Sequence, residues 1–582
     1  MARFRCFQSI QRFRWDYLKD SLRVPQGQLF TEGVSSQWSN QDLAPTPPEE
    51  RKWTYWTFAA FWTAHASDAT AWTAGSATVA LGLTWWQAWL ALNVAHMIGS
   101  ILIVANGRMA SRYHVGFPVC ARVSWGMWGS YMAVAMRAVI CIIWNGVNTF
   151  YAGRLVDVCL QCIWPSWALV ANTLPESAGI TTRELTGFII AWFIFQCLTF
   201  IHPRDLKWFY VAKSVIVLTA MHGILAWWMR KNGGVHFPSQ NSTQLSGTTR
   251  AWLWMQAFNS GFGAVSSLTV NQADIARYAK SPNDQLWGQI FVFPLASALP
   301  GLFGVLVASA SQEMYGTPLW NLWDVTQKML DQYPHNSGAR FGIFLAAGSI
   351  ALALIGVNLA TNCLPFGSDV SALFPKYMNI QRGQFLCCLL GLAIAPWKIL
   401  QNGTTFLAFL AGYGYWLAPV AAIIFVDYFF IQHGNIVIAE LYNGRPGGLY
   451  WYKKGWNIRA PIITVLALIP CLPGFAWTIS GHVNISLNAA RLSTLSYVVT
   501  FSCCSPASDP RLSTSSFILT YAIAASMYWT SYRIWPKAIS TPLNEQFEFI
   551  ANMVDGEEAS IELEDIEKPL SDKLSIPECP SV

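Results

Sequence analysis

Residues 56–83 read WTFAAFWTAHASDATAWTAGSATVALGL, and this stretch decides the fold. It is long and apolar enough to cross a bilayer, which takes about 20 apolar residues. A carboxylate near its middle, Asp68, costs roughly 2.5–3.5 kcal/mol in hydrocarbon and therefore faces a cavity or a partner. The small residues around Asp68 favour a helix that is interrupted at mid-membrane, the way transporters build substrate sites. The alternative is a continuous helix in which a neighbouring helix satisfies Asp68.

The composition is that of an all-α polytopic membrane protein. Of its 582 residues, 53% are hydrophobic and only 12% are charged, against about 25% charged in soluble domains. The N-terminus is polar and basic, which predicts no cleavable signal peptide. We find no catalytic triad, phosphate-binding loop or metal-ligand spacing, so we expect no enzyme, cofactor or metal. The net charge of +6 fits cytoplasmic loops better than a nucleic-acid partner.

Twelve segments are long enough to span the membrane. They cover about 56–81, 84–105, 129–157, 184–202, 206–229, 251–276, 284–311, 340–366, 383–400, 404–431, 459–479 and 513–534. We therefore predict a cytoplasmic N-terminal tail (1–52), a ten-helix core (53–431), two additional spans with a long outer loop (432–535) and an acidic cytoplasmic C-terminal tail (536–582).

The distribution of Lys and Arg predicts the orientation. Arg108, Arg112 and Arg122 follow the second span, whereas the loops after the first and ninth spans carry almost no basic residues. Basic loops stay in the cytoplasm, so both termini are expected there. The glycosylation sequons at Asn241 and Asn484 then fall in external loops.

Two pairs of polar residues lie inside predicted spans. Trp144 and Asn148 are four residues apart on the third span, and Asn358 and Asn362 are four apart on the eighth, so each pair shares a helix face. Structural bonding between helices is one interpretation. We favour a ligand site, because an indole stacks on a planar ring and carboxamides donate to and accept from its polar edges.

The positions of these features have a further logic if the first ten of the twelve spans form a 5+5 inverted repeat, the LeuT-like architecture. In such a repeat the first span pairs with the sixth, and the third pairs with the eighth. The sixth span, around Gly261 and Gly263, also reads as interrupted and polar in the middle. Its central Val265 and Ser266 join the candidate substrate-binding residues.

From about Asp42 to about Tyr532, the chain resembles the fungal uracil, uridine and allantoin permeases of the nucleobase–cation symport family, in its Fur-type branch. Several long motifs in one order carry the resemblance: Asp42 to Pro48, Gly107-Arg108, Trp125 to Tyr131, Asn271 to Ala279, Gly367 to Tyr377 and Ala395 to Lys398. The resemblance implies ten helices in two inverted repeats plus two extra helices, and cation-coupled import.

The resemblance also implies roles for individual residues. Trp144 matches the family's stacking tryptophan, and Asn148 stands where a Gln is more frequent. Asn362 matches the substrate-binding asparagine, with Asn358 one turn earlier. Val265 stands where relatives carry an aromatic lid.

The coupling ion implied by the resemblance is a cation, and we expect a proton. A sodium site in this fold needs hydroxyl oxygens on the eighth span, where this chain has Gly356 and Val357. Asp68 and His65 are the candidate proton carriers.

Asp274 and Arg277, in the motif Asn271 to Ala279 at the end of the sixth span, are the candidate gating residues.

We therefore expect a plasma-membrane proton symporter for uracil, allantoin or a related nucleobase or nucleoside. Its expected partners are the substrate, the lipid bilayer and trafficking proteins at the tails, with no nucleic acid. One alternative is an importer of a cationic vitamin, thiamine or nicotinamide riboside, with Asp68 as counter-ion. Another is a receptor that senses substrate on the same fold without transporting it.

Overall fold

The structure, a computed structural model, describes residues 23–25, 37–201, 207–234, 247–400, 403–471 and 517–536. These parts of the chain are helical and form no strand beyond isolated bridges such as that between Trp53 and Ala279. The predicted sequons and the acidic C-terminal tail lie outside the described residues, as does most of the N-terminal tail.

Seventeen α-helices are named here in chain order. They are α1 Tyr55–Ala66, α2 Ala69–Ala80, α3 Trp85–Tyr113, α4 Phe117–Trp125, α5 Ser130–Ile163, α6 Thr182–Leu198, α7 Lys207–Lys231, α8 Gly247–Ala276, α9 Asp284–Ile290, α10 Val292–Tyr315, α11 Leu322–Gln332, α12 Ser337–Asn358, α13 Leu364–Leu373, α14 Ile380–Leu392, α15 Gly403–Val426, α16 Arg459–Leu468 and α17 Phe517–Ile534. A π-helical turn, Leu359–Cys363, joins α12 to α13, and another, Asp427–Ile431, ends α15.

The length and apolar composition of the helices are those of a membrane protein. Seven helical segments among the described residues are long and apolar enough to cross a bilayer: Trp85–Tyr113, Ser130–Ile163, Glu176–Leu198, Val211–Lys231, Asp284–Tyr315, Ser337–Leu373 and Gly412–Ile431. A helix lies within each of the twelve predicted spans. The number of helices that cross the membrane and the 5+5 repeat stay predictions.

The predicted interruption of the first span is confirmed. The helix stops at Ala66 and restarts at Ala69, and Asp68 caps the second half. Its Oδ1 accepts hydrogen bonds from the backbone N–H groups of Thr70 at 3.0 Å and Ala71 at 3.1 Å. A carboxylate at this position satisfies donors that a new helix leaves without partners, which explains why the break falls at Asp68.

The predicted interruption of the sixth span is wrong, because α8 runs unbroken from Gly247 to Ala276. Its glycines serve close packing instead. A Cβ atom on Gly261 would lie 2.9 Å from the Cβ of Ala95, so the glycine lets α8 approach α3 closely. A second irregularity lies in the eighth span, where the π-helical turn Leu359–Cys363 contains Asn362.

Two groups of helices surround the centre of the molecule. Helix α10 packs against α1 and α3, and α3 packs along α8. Helix α5 packs along α12 and α13. The polar residues predicted on the first, third and eighth spans therefore meet where these two groups face each other.

Candidate functional site

A small cavity lies beside the break between α1 and α2. It collects six of the ten predicted site residues: His65, Asp68, Trp144, Asn148, Val265 and Asn362. Its volume is about 60 Å³. Since one water needs roughly 10–15 Å³ by the same measure, the cavity has room for a few waters, or for part of a compact planar ring.

Trp144 forms one wall of this cavity. The indole is buried on α5 and is held by two aromatic rings of α15. Its ring centroid lies 5.6 Å from that of Tyr413 in an edge-to-face contact, and 5.5 Å from that of Phe409. These contacts fix the plane of the indole, which is what a stacking partner requires.

Asn358 at the end of α12 and Asn362 in the π-helical turn make different contacts. The Asn362 Nδ2 donates to the Asn358 Oδ1 at 2.7 Å. The Asn358 amide donates in turn to the Asn145 carbonyl at 3.1 Å and the Thr149 hydroxyl at 3.2 Å. Asn362 lines the cavity and Asn358 does not, so Asn358 positions Asn362 from behind.

Asn148 also lines the cavity, one turn along α5 from Trp144. Its carboxamide has no hydrogen-bond partner in the described part of the chain, although only 4% of the residue is exposed. The amide is therefore free to bond a ligand with polar edges in the cavity.

Of the two substrate-binding residues predicted on α8, one lines the cavity and the other does not. Val265 lines the cavity, as does Ser267. The Ser266 hydroxyl instead donates to the Gly263 carbonyl at 2.9 Å and lies against Gly414 of α15. Ser266 therefore does not reach the cavity in this structure, because its one donor is satisfied within its own helix.

A buried lysine that was not predicted lies beside Asp68. Lys213 of α7 is 2% exposed and near enough to Asp68 and His65 for its charge to influence both, but among the described residues it forms no ion pair with Asp68 within 4 Å. A Cβ atom on Gly356 would lie 3.1 Å from the Lys213 Cδ, so the lysine side chain crosses α12 at this glycine. Its sequence signal is a cation inside an otherwise apolar span, which marks a functional site by default.

Asp274 lies outside the cavity, in a buried charge cluster with Arg137 and Asp369. Arg137 Nη1 donates to Asp274 Oδ2 at 2.6 Å, and Arg137 Nη2 donates to Asp369 Oδ1 at 2.5 Å. The other Asp274 oxygen accepts from the Ser368 hydroxyl at 2.8 Å. Arg137 precedes Trp144 by two turns of α5, so the cluster lies on the predicted cytoplasmic side of Trp144.

Arg277 holds the N-terminal segment on the same side. Its guanidinium donates to the Thr46 hydroxyl at 2.7 Å and to the carbonyls of Asp42 at 2.8 Å and Ala44 at 2.6 Å. The Asp42 carboxylate also accepts from the Ile380 N–H at 2.8 Å. Arg277 therefore links α8 to the chain that precedes α1, which is consistent with a gating role.

Comparisons with known proteins agree with this architecture. A family model described as "Permease for cytosine/purines, uracil, thiamine, allantoin" matches residues 45–500. The uracil permease of Saccharomyces cerevisiae is 31% identical over 467 residues, covering 79% of this chain and 73% of the permease. The allantoin permease of the same yeast is 30% identical over 469 residues, with 79% and 73% covered.

A solved structure shares the fold. The closed conformation of Mhp1, a nucleobase-cation-symport-1 family transporter with bromovinylhydantoin bound, superposes with a TM-score of 0.64 at 20% identity. The match covers 88% of this chain and 99% of Mhp1.

Proposed function

The chain belongs to the family of permeases for cytosine/purines, uracil, thiamine and allantoin, and from this premise we propose that it imports uracil, allantoin or a related nucleobase or nucleoside by proton symport. Its homologues are permeases and transporters, so the protein is a membrane transporter and not an enzyme. We place it in the plasma membrane with both termini in the cytoplasm, where the tails would meet trafficking proteins.

The composition of the cavity supports a nucleobase-like substrate. A fixed indole, Trp144, adjoins two carboxamides, Asn148 and Asn362, and all three line one small cavity. Each carboxamide offers both donors and an acceptor, and the indole offers a flat apolar face. This combination suits a planar ring whose edge alternates N–H and C=O groups.

The coupling ion follows from what surrounds Asp68. A hard cation such as Na⁺ needs oxygen ligands, and neither Gly356 nor Val357 supplies a side-chain oxygen. The Lys213 side chain passes against Gly356 and brings a positive charge to the same place. An ammonium group there opposes a bound metal cation, whereas a carboxylate beside it can gain and lose a proton. We therefore favour proton coupling through Asp68.

The same lysine weighs against the importer of a cationic vitamin. In that alternative the Asp68 carboxylate would pair with the positive ring of the substrate. Lys213 already provides Asp68 with a positive charge inside the protein. A second cation in the cavity would meet this charge at low dielectric, where repulsion is strong.

A competition panel tests this function. Uptake of labelled uracil would be measured in a host that lacks its own uptake systems, with uracil, uridine, allantoin, hydantoin, thiamine and nicotinamide riboside as competitors. We expect uracil or allantoin to compete and to accumulate. Competition by thiamine or nicotinamide riboside alone would favour the vitamin importer, and binding without uptake would favour the receptor.

A further inference from the structure

Two histidines without an assigned role toward the substrate line the cavity. They belong to helices of a different packing group from that of Trp144. His65 lies on α1 and His96 on α3, and both line the cavity. Both rings contact Phe293 of α10, with centroids 6.2 Å away for His65 and 5.6 Å away for His96. Trp144 belongs to the other packing group, that of α5 and α12. We call His65, His96 and Phe293 the histidine wall.

The local packing explains how His96 reaches the cavity. One turn after His96, Gly99 faces α8, and a Cβ atom on Gly99 would lie 2.5 Å from the Val265 Cγ2. The absent side chain of Gly99 and the small side chain of Val265 together let α3 approach α8. A larger residue at either position would push α3 outward, and His96 with it.

His96 reaches the cavity without a partner of its own. It is 6% exposed, and its ring nitrogens make no hydrogen bond within the described residues. The His96 nitrogens have access to the cavity, whereas the Nδ1 of the neighbouring His65 is fully buried without a partner, which costs about 1–3 kcal/mol. A neutral imidazole carries one donor and one acceptor nitrogen. The wall is therefore incomplete until water or a ligand occupies it.

From this arrangement we infer that His96 is a specificity-determining residue, whose imidazole hydrogen-bonds an edge of the substrate ring that the asparagines do not reach. The inference rests on the proposed function and narrows its substrate class. The favoured solute is a single planar ring with polar groups on two edges, one edge for Asn148 and Asn362 and the other for His96. A ring that lacks the polar groups on one of these edges should therefore bind more weakly than one that has both.

This contact between His96 and the substrate can be tested by a thermodynamic cycle that combines a change of the residue with a change of the ligand. The inhibition constants of uracil, 2-pyrimidinone and 4-pyrimidinone, each analogue lacking one carbonyl, would be measured against labelled uracil for wild type and His96→Phe. Phenylalanine keeps a flat ring of similar size and removes both nitrogens. The matched control is His222→Phe on α7, since His222 does not line the cavity and bonds the Leu218 carbonyl of its own helix.

We expect the preference of wild type for uracil over one of the two analogues to fall in His96→Phe by about fivefold to 150-fold, the range that corresponds to one lost hydrogen bond. His222→Phe should keep both preferences. If His96→Phe reaches the cell surface and keeps both preferences, the inference is wrong. If wild type takes up no member of the nucleobase panel, the proposed function itself fails, and the two failures are therefore distinct.

Discussion

At the scale of single residues, the candidate site combines an indole ring fixed by its neighbours with carboxamides that differ in their hydrogen bonds. Trp144 is clamped by Phe409 and Tyr413, and Asn362 is held by Asn358. The Asn148 amide points into the cavity without a partner among the described residues. The proposed recognition site thus combines a rigid apolar face with carboxamides that can bond the polar edge of a ring.

Replacing Trp144 tests the apolar face. Trp144→Ala removes ring stacking, which is worth about 1–3 kcal/mol per base, so the apparent affinity should weaken about fivefold to 150-fold. Trp144→Phe should keep part of the affinity, because a smaller flat ring remains. The measurement is the concentration dependence of uptake by variants shown to reach the cell surface. An unchanged affinity in Trp144→Ala would mean that the indole only packs the core.

Lengthening Asn148 tests the amide contact. Asn148→Gln advances the same carboxamide by one methylene group along the face of α5. Because the group then meets a different part of the ring edge, we expect the order of competitors in the uptake panel to change while transport persists. Asn145→Gln serves as a contrast, since Asn145 bonds the Cys363 thiol and does not line the cavity. An identical competitor order for Asn148→Gln would falsify its assignment.

Removing the lysine tests the choice of coupling ion. Lys213→Met keeps the length and apolar stem of the side chain and removes its charge. Buried Asp68 then loses the nearby positive charge that favours its ionised form. We expect Lys213→Met to lose pH-driven accumulation, while wild-type uptake is unaffected when choline replaces sodium. Stimulation of wild-type uptake by sodium would contradict proton coupling.

At the scale of elements, the fold depends on where helices break and where they approach. The break at Asp68 is stabilised by its own cap, whereas α2 and α10 meet backbone to backbone. A Cβ atom on Gly75 would collide with the Gly301 carbonyl oxygen, and one on Gly304 would collide with the Trp72 carbonyl oxygen. Close approach without side chains is the usual way in which membrane helices associate.

A matched pair of glycine substitutions tests this packing. Gly75→Ala forces α2 away from α10, and overpacking of this kind costs about 1–3 kcal/mol. Gly223→Ala on α7 is the control, because a Cβ atom there meets nothing within 4 Å. We expect Gly75→Ala to lower the melting temperature of the detergent-solubilised protein and Gly223→Ala to leave it unchanged or raise it. Equal melting temperatures for the two variants would contradict the packing.

The sequence predicted those parts of the site that form local patterns. Asp68 amid small residues, and pairs of polar residues four apart, identify a break and a helix face without knowledge of the fold. Lys213 and His96 lie in largely apolar spans without a paired pattern around them, and only tertiary packing shows that they approach Asp68 and the cavity. The error at Gly261 has a related cause, because glycine can either interrupt a helix or let two helices touch, and its neighbours decide which.

At the scale of the whole molecule, two layers of contacts lie on the predicted cytoplasmic side of Trp144. The inner layer is the buried cluster of Arg137, Asp274 and Asp369, and the outer layer is the N-terminal segment held by Arg277. The proposed import requires both layers to separate.

The most direct test of proton-coupled import combines two measurements on wild type and Asp68→Asn. Accumulation of labelled uracil would be followed against an imposed pH gradient, and equilibrium binding would be measured beside it. Asparagine keeps the shape of the helix cap but cannot carry a proton. We expect wild type to accumulate substrate when protons flow inward, and surface-expressed Asp68→Asn to bind substrate without concentrating it. Accumulation by Asp68→Asn that still follows the pH gradient would contradict proton coupling through Asp68.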